Sequence, residues 1–224
     1  MQIMQKEKFQ KKFRAVLFDK DGVLLDSIDT CLTAINDTLK HYDGNEVTKE
    51  EFKRIWWGIR ADINIAKRFE GAPQSKVDEI YDYYNNKKLE FKNLTKIYSS
   101  TIPVLESLKG KYRLGVVTSS TKEVATELLK EFGILEYFDV LVGGKDAIPK
   151  PAPDSILKAC KLLGVTPEET LYVGDTLPDV EAGQAAGCSI VIVTTSMTRE
   201  ELKDVDGVTI IDDLRELEKF LGLS

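Results

Sequence analysis

Asp19 and Asp21 stand two residues apart, with Gly22 behind them, directly after the apolar run Arg14-Ala15-Val16-Leu17-Phe18. Carboxylates that close repel each other unless a positive charge lies beside them. The pair is therefore either the anionic half of a reactive site or two solvated loop acids that Gly22 turns. Three further segments carry complementary groups. Thr118-Ser119-Ser120 ends the run Leu114-Gly115-Val116-Val117 and precedes a helical pattern, so its hydroxyls either meet an anion at a helix N-terminus or cap that helix, with Thr118 the better anion ligand. Lys150 sits between Pro149 and Pro151, two residues that stiffen the backbone around one ammonium; otherwise it is a solvent lysine. Asp175 closes Leu171-Tyr172-Val173-Gly174, and Asp179 follows four residues on, where it also suits the charge at a helix start.

Together these are a nucleophile, an acid, hydroxyls, a cation and an oxygen-rich place for a hard metal such as Mg2+. The chemistry they suit is phosphoryl transfer. Asp19 would attack phosphorus and form an aspartyl-phosphate, and Asp21 would protonate the leaving alcohol and later activate water. Lys150, Thr118 and Ser119 would hold the phosphoryl oxygens.

These residues can meet only if the chain brings its strand ends to one edge. Short strand-like runs at Ala15–Phe18, Leu114–Thr118, Val140–Val142, Leu171–Gly174, Ser189–Val193 and Val208–Ile211 are separated, for the most part, by helical patterns such as Thr121–Phe132, Asp154–Leu163 and Pro178–Ala186, each closed by glycine. Strand and helix alternating at crossover length predict a doubly wound α/β domain on a parallel sheet, whose carboxyl edge is where ligands bind. One segment breaks the alternation. Ile28–Tyr42, Thr48–Trp56, Ile59–Phe69 and Pro73–Leu94 read as successive helices, the second with a Thr48-x-x-Glu51 capping box. The expected organisation is an α/β core over residues 1–26 and 95–224 with a small all-helical cap over 27–94.

Composition narrows the chemistry further. With 31 basic and 37 acidic residues the net charge is −6, which argues against nucleic acid as a partner. The basic group Lys6, Lys8, Lys11, Lys12 and Arg14 reads as a solvated terminal tail. No apolar run is long enough for a bilayer and no secretory leader is visible, so a cytoplasmic protein without a membrane partner is expected. Cys31, Cys160 and Cys188 are spaced too irregularly for a Cys-x-x-Cys pair and read as small buried hydrophobes. His41, the single histidine, reads as a helix C-terminal cation, which leaves carboxylates, lysines, hydroxyls and a hard metal to do the work.

At these residues the chain resembles the haloacid dehalogenase superfamily, in its phosphatase branch. Asp19-Lys20-Asp21-Gly22-Val23-Leu24-Leu25-Asp26-Ser27 resembles that family's first motif, Thr118 its second, Lys150 in Lys-Pro-x-Pro its third, and Gly174-Asp175-x-x-x-Asp179 its fourth. The resemblance implies a Rossmann-like core, Asp19 as nucleophile and Asp21 as acid and base. It also implies Mg2+ held by Asp19, the Asp21 carbonyl and Asp175, with Gly22 and Asp179 in support. Asp21 argues against the dehalogenase members, and the helical insertion is similar to the cap of the phosphoglycolate phosphatase and β-phosphoglucomutase relatives.

The implied activity is hydrolysis of a small phosphorylated metabolite, phosphoglycolate-like or a sugar phosphate, by a monomer or homodimer. A β-phosphoglucomutase-like phosphotransferase and a catalytically silent binding module are the alternatives. Among cap residues Trp56, Trp57, Gly58, Ile59, Arg60 and Lys67, Arg60 is the candidate for reading a substrate anion, against a plain role as an exposed helix-start arginine.

Overall fold

Strand and helix alternate along most of the chain because apolar β-branched runs and glycine-terminated amphipathic runs alternate in the sequence. In the computed structural model, which describes residues 13–223, β1 (Ala15–Phe18), β4 (Arg113–Val117), β5 (Val140–Val142), β6 (Thr170–Gly174), β7 (Ser189–Val193) and β8 (Val208–Ile211) form one sheet. Its order is β5-β4-β1-β6-β7-β8 and every pairing is parallel. The basic positions Lys6, Lys8, Lys11 and Lys12 lie outside the described residues, whereas Arg14 pairs with Glu169 at 3.2 Å on the surface.

Both faces of the sheet are covered, which is why β1 is buried at all four positions. Val16 and Phe18 point into a cluster shared with α5 (Thr101–Leu108) and α6 (Lys122–Glu131). Ala15 and Leu17 point the other way, toward Ile156 and Ala159 of α7 (Asp154–Leu163) and Ala182 of α8 (Leu177–Ala186). Cys31 and Cys160 are buried and Cys188 is partly exposed; Cys160 and Cys188 pack in the same cluster. The sequence pattern did not disclose α5, whose Pro103 occupies the first turn, where no intrahelical hydrogen bond is lost.

The helical segment between the first two core strands folds as α1 (Ile28–Tyr42), α2 (Lys49–Ile55), α3 (Ala61–Arg68) and α4 (Gln74–Glu90). Thr48 caps α2 by accepting from the Glu51 N–H at 3.1 Å. These helices enclose an apolar cluster of their own, with Ile35, Leu39, Phe52, Trp56, Ile65 and Ile80 among its buried members. Two-residue strands β2 (Leu25–Asp26) and β3 (Lys96–Ile97), too short to register as a sequence pattern, pair antiparallel where the chain leaves and re-enters the α/β layer.

The last element described is α9 (Glu216–Phe220). None of the described helices is long and apolar enough to cross a membrane.

Candidate functional site

Four strand ends deliver chemistry to one edge. Asp19 follows β1 and its N–H donates to Val173 O at 2.8 Å, which ties the first motif to β6. Asp175 follows β6, and Asp179 lies in the first turn of α8; ligand oxygens of Asp19, Asp175 and Asp179 come within 4.8 Å of one another, all three residues buried.

Their partners separate them into two kinds. Asp179 is fully engaged: Oδ1 accepts from Lys150 Nζ at 2.5 Å and Tyr172 OH at 2.7 Å, and Oδ2 from Thr176 N at 3.1 Å and Thr176 Oγ1 at 2.6 Å. It is a helix cap and the counter-charge of Lys150. Asp19 Oδ1 and Asp175 Oδ1, by contrast, have no hydrogen-bond partner among the described residues. Lys150 Nζ lies 3.2 Å from Asp19 Oδ1 without the alignment of a hydrogen bond.

Burial acts on these acids first. It pushes the Asp19 carboxyl up to about 7, against the pull of Lys150 and with repulsion from Asp179 and Asp21 adding to the rise. Burial likewise drives Asp175 well above the carboxylate range, helped by Asp179 and Asp19. Asp179 stays below its ordinary value because the charge and hydrogen bond of Lys150 outweigh its own burial. Two buried carboxylate oxygens lacking donors, in a cluster with more anions than cations, fit a hard divalent cation with oxygen ligands. Gly22 makes the approach possible. Its φ is +85°, and a Cβ there would fall 1.9 Å from Asp175 Oδ2.

The Asp21 carboxylate is not part of that cluster. It accepts from Lys20 Nζ and Ser27 Oγ, and its second oxygen accepts from Ser120 Oγ at 2.9 Å. Burial alone would raise it, but the Lys20 and Lys88 ammonium groups and the hydrogen bonds from Lys20 and Ser27 hold it well below the usual range. Beside it, Thr118 Oγ1 accepts from Ser120 N at 3.1 Å. Thr121 takes over the capping of α6, accepting from Val124 N at 3.4 Å. Ser119 Oγ has no partner among the described residues.

The helical segment closes the site from above. A cavity of about 50 Å3 is bounded below by Asp19, Asp21 and Ser119 and above by residues that include Trp57, Tyr81 and Asn85. Lys88, also in its wall, donates to Ser120 Oγ at 2.7 Å, so a cap lysine reaches the core. Tyr81 OH and Asn85 Oδ1 are buried without partners among the described residues. Asn85 Nδ2 donates to Tyr81 O at 2.7 Å.

Sequence reasoning missed Tyr81, Asn85 and Lys88. The signal was in α4, whose buried stripe Val77, Ile80, Tyr81, Tyr84, Asn85, Lys88 turns polar toward its end. Ser196, after β7, was missed too; it donates to Asp175 Oδ2.

Of the cap residues singled out from the sequence, Arg60 is already occupied. It grips Asp62 through Nε at 2.7 Å and Nη2 at 2.6 Å and donates Nη1 to Gly144 O at 2.5 Å, a clamp from α3 to the loop after β5. Lys67 is exposed and outside the cavity wall. Trp56 is buried in the helical cluster, while Trp57 turns to the seam and donates Nε1 to Asp175 Oδ2 at 3.1 Å and Ser196 Oγ at 2.8 Å.

The profile of the family described as haloacid dehalogenase-like hydrolase matches residues 16–193. A phosphoglycolate phosphatase of Aquifex aeolicus is 34% identical over 177 residues, covering 78% of this chain and 81% of that protein. A pyrophosphatase, PpaX, of Bacillus mycoides is 31% identical over 189 residues, covering 83% and 86%. A Bacteroides fragilis structure solved as a haloacid dehalogenase-like hydrolase superposes with a TM-score of 0.84 at 27% identity, covering 92% of this chain and 100% of that one.

Proposed function

The chain belongs to the haloacid dehalogenase-like hydrolases and is a phosphatase of that family, and we propose that it hydrolyses a small phosphomonoester of the phosphoglycolate kind with Mg2+ as its metal. The observation that carries this reading is the position of Asp19: its carboxylate borders both the acid cluster and the cavity under α4.

Asp19 and Asp175 supply the free oxygens that would hold Mg2+, with the Asp21 carbonyl assigned by resemblance and Asp179 in support through Lys150. The ion, when bound, neutralises the buried carboxylates and the phosphoryl charge. Asp19 attacks phosphorus as the bond to the leaving oxygen breaks, giving an aspartyl-phosphate and an alkoxide; Asp21, which Lys20, Lys88 and Ser27 hold ionised in the substrate-free site, protonates that alkoxide after taking up a proton with the incoming substrate. Asp21 then accepts a proton from water, whose oxygen attacks the same phosphorus and returns Asp19 as a carboxylate. Lys150, Thr118 and Ser119 hold the transferred oxygens. Residues 27–94 act as the cap, turning on the β2–β3 ribbon to admit substrate and exclude water.

The substrate class is read from the groups that line the cavity between Asp19 and α4. Lys88 supplies a cation and Tyr81 OH an unpaired donor, which suit a substrate carboxylate, while the unpaired Asn85 Oδ1 can only accept and suits a hydroxyl or water beside it. With Arg60 already neutralised by Asp62, a second phosphate is less well served. A cytoplasmic setting suits three cysteines whose irregular spacing forms no Cys-x-x-Cys pair.

The test is phosphate release from phosphoglycolate, sugar phosphates, nucleotides and pyrophosphate, with Mg2+ or EDTA, for the wild type and Asp19→Asn. Metal-dependent release favouring phosphoglycolate and lost in the variant is expected. Isomerised sugar phosphate without free phosphate would replace the hydrolase with a mutase. Absence of turnover on every compound would leave a binding module.

A further inference from the structure

Trp56-Trp57-Gly58 follows α2, and its two indoles part company. Trp56 is 6% exposed within the cap cluster, whereas Trp57 sits half-buried at the seam. Gly58, at φ +76°, permits the turn between them and the core: a Cβ there would lie 2.7 Å from Thr176 Oγ1, so the loop is pressed against the Asp175-Thr176 corner.

The contact is directional as well as close. Trp57 Nε1 shares its hydrogen between Asp175 Oδ2 at 3.1 Å and Ser196 Oγ at 2.8 Å, and Ser196 itself donates to the same Asp175 oxygen. Asp175 Oδ2 therefore receives two donors, one from the cap and one from the loop after β7. Oδ1 receives none among the described residues. A carboxylate with one oxygen anchored and the other bare is fixed in orientation and left with a single ligand atom to offer. Partners of this sort, one bond removed from a metal, tune how well its ligands are aimed.

We propose that Trp57 is a positioning residue for Asp175, through which seating of the cap and binding of a divalent cation at Asp175 strengthen each other. The inference rests on the reading above that Asp175 holds Mg2+. Thermodynamic reciprocity then requires that whatever factor the seated cap adds to cation affinity, the cation adds to cap seating.

Calorimetric titration with Mg2+ and tryptophan emission test it together. Trp57→Phe keeps an aromatic ring beside Phe52, now 6.0 Å from the indole, and deletes the N–H together with part of the indole's volume. It is expected to bind Mg2+ about tenfold more weakly, the low end of what such outer partners contribute. Gly58→Ala, which spares the indole and lifts the loop off Thr176, is expected to weaken Mg2+ in the same direction and serves if Trp57→Phe folds poorly. In Trp56→Phe, where Trp57 is the only indole, Mg2+ should change the emission saturably and reduce its quenching by acrylamide.

Mg2+ affinity equal to wild type in both Trp57→Phe and Gly58→Ala, or Trp57 emission indifferent to calorimetrically saturating Mg2+, overturns the inference and leaves the phosphatase intact. A wild type that binds no Mg2+ overturns the metal assignment of Asp175 and the inference with it.

Discussion

The Lys88 ammonium, carried on α4 of the cap, donates to Ser120 Oγ of the core at 2.7 Å, and Ser120 donates to Asp21 Oδ2 at 2.9 Å. One cap cation thus serves two masters, the cavity where the leaving group would lie and the acid that would protonate it. Burial disfavours its charge, but nearby groups, Cys31 and Asp21 foremost, keep it raised above the ordinary lysine value.

Lys88→Met should therefore discriminate among substrates. A hydrogen bond to a charged partner contributes roughly 1.5–3 kcal/mol, so kcat/KM for phosphoglycolate is expected to fall about 10- to 100-fold. A neutral alkyl phosphate lacks the carboxylate and should lose clearly less. An equal loss on both would assign Lys88 to Asp21 alone.

The buried acids set the pH dependence of stability without metal. Asp19, raised to about 7, and Asp175, raised well above the carboxylate range by its burial, stay protonated in the folded chain where unfolded carboxyls near 3.8 are ionised. Between about pH 5 and 7 the folded state then holds more protons, so its stability rises as pH falls. Asp21 and Asp179 are held low and ionised in both states across that window; their contribution is lost only on acidification below it. In EDTA the unfolding temperature is expected to climb by a few degrees from pH 7.5 to 5.5. Asp19→Asn should flatten part of that slope, and Mg2+ should flatten it too. A transition that falls over the same interval would contradict the assignment.

Lys150 offers a sharper test of the cluster. Its side chain is 2% exposed, 3.2 Å from Asp19 and 2.5 Å from Asp179. Lys150→Met fills the volume but strands two buried carboxylates, an error that costs about 3–5 kcal/mol. The metal-free unfolding temperature should drop by about 10 °C at pH 8 and by less at pH 5.5, where Asp19 takes up a proton. A drop independent of pH would mean that packing rather than charge is lost.

The core of this site was legible because each group ends a buried strand. Asp19, Thr118 and Asp175 follow apolar runs whose only plausible neighbour in space is another such run, and a parallel sheet brings their carboxyl ends together. What sequence could not supply was the cap's contribution. Lys88 lies 69 positions from Asp19 on a helix whose hydrophobic face is interrupted by polar residues, and nothing local says that this end meets Ser120. Trp57 and Ser196 are stranger still to linear reading, 139 positions apart yet sharing one hydrogen bond over Asp175. The proximity of Cys160 and Cys188 was hidden likewise, since Cys160 lies within α7 and Cys188 follows the end of α8, 28 positions on.

Arg60 shows how much of a residue's role depends on partners that the linear sequence does not display. As a guanidinium at the start of a cap helix it suits a substrate anion, but Asp62 takes two of its donors and the Gly144 carbonyl a third. A group so engaged holds α3 to the loop after β5 and has little left to offer a ligand. Arg60→Ala is accordingly expected to loosen the closed cap, raising KM severalfold for phosphoglycolate and for a neutral alkyl phosphate alike. Asp62→Asn weakens the pair but leaves the Gly144 contact, so its effect should be smaller in the same direction. A loss confined to the carboxylate-bearing substrate would instead make Arg60 the reader of that anion and demote Lys88.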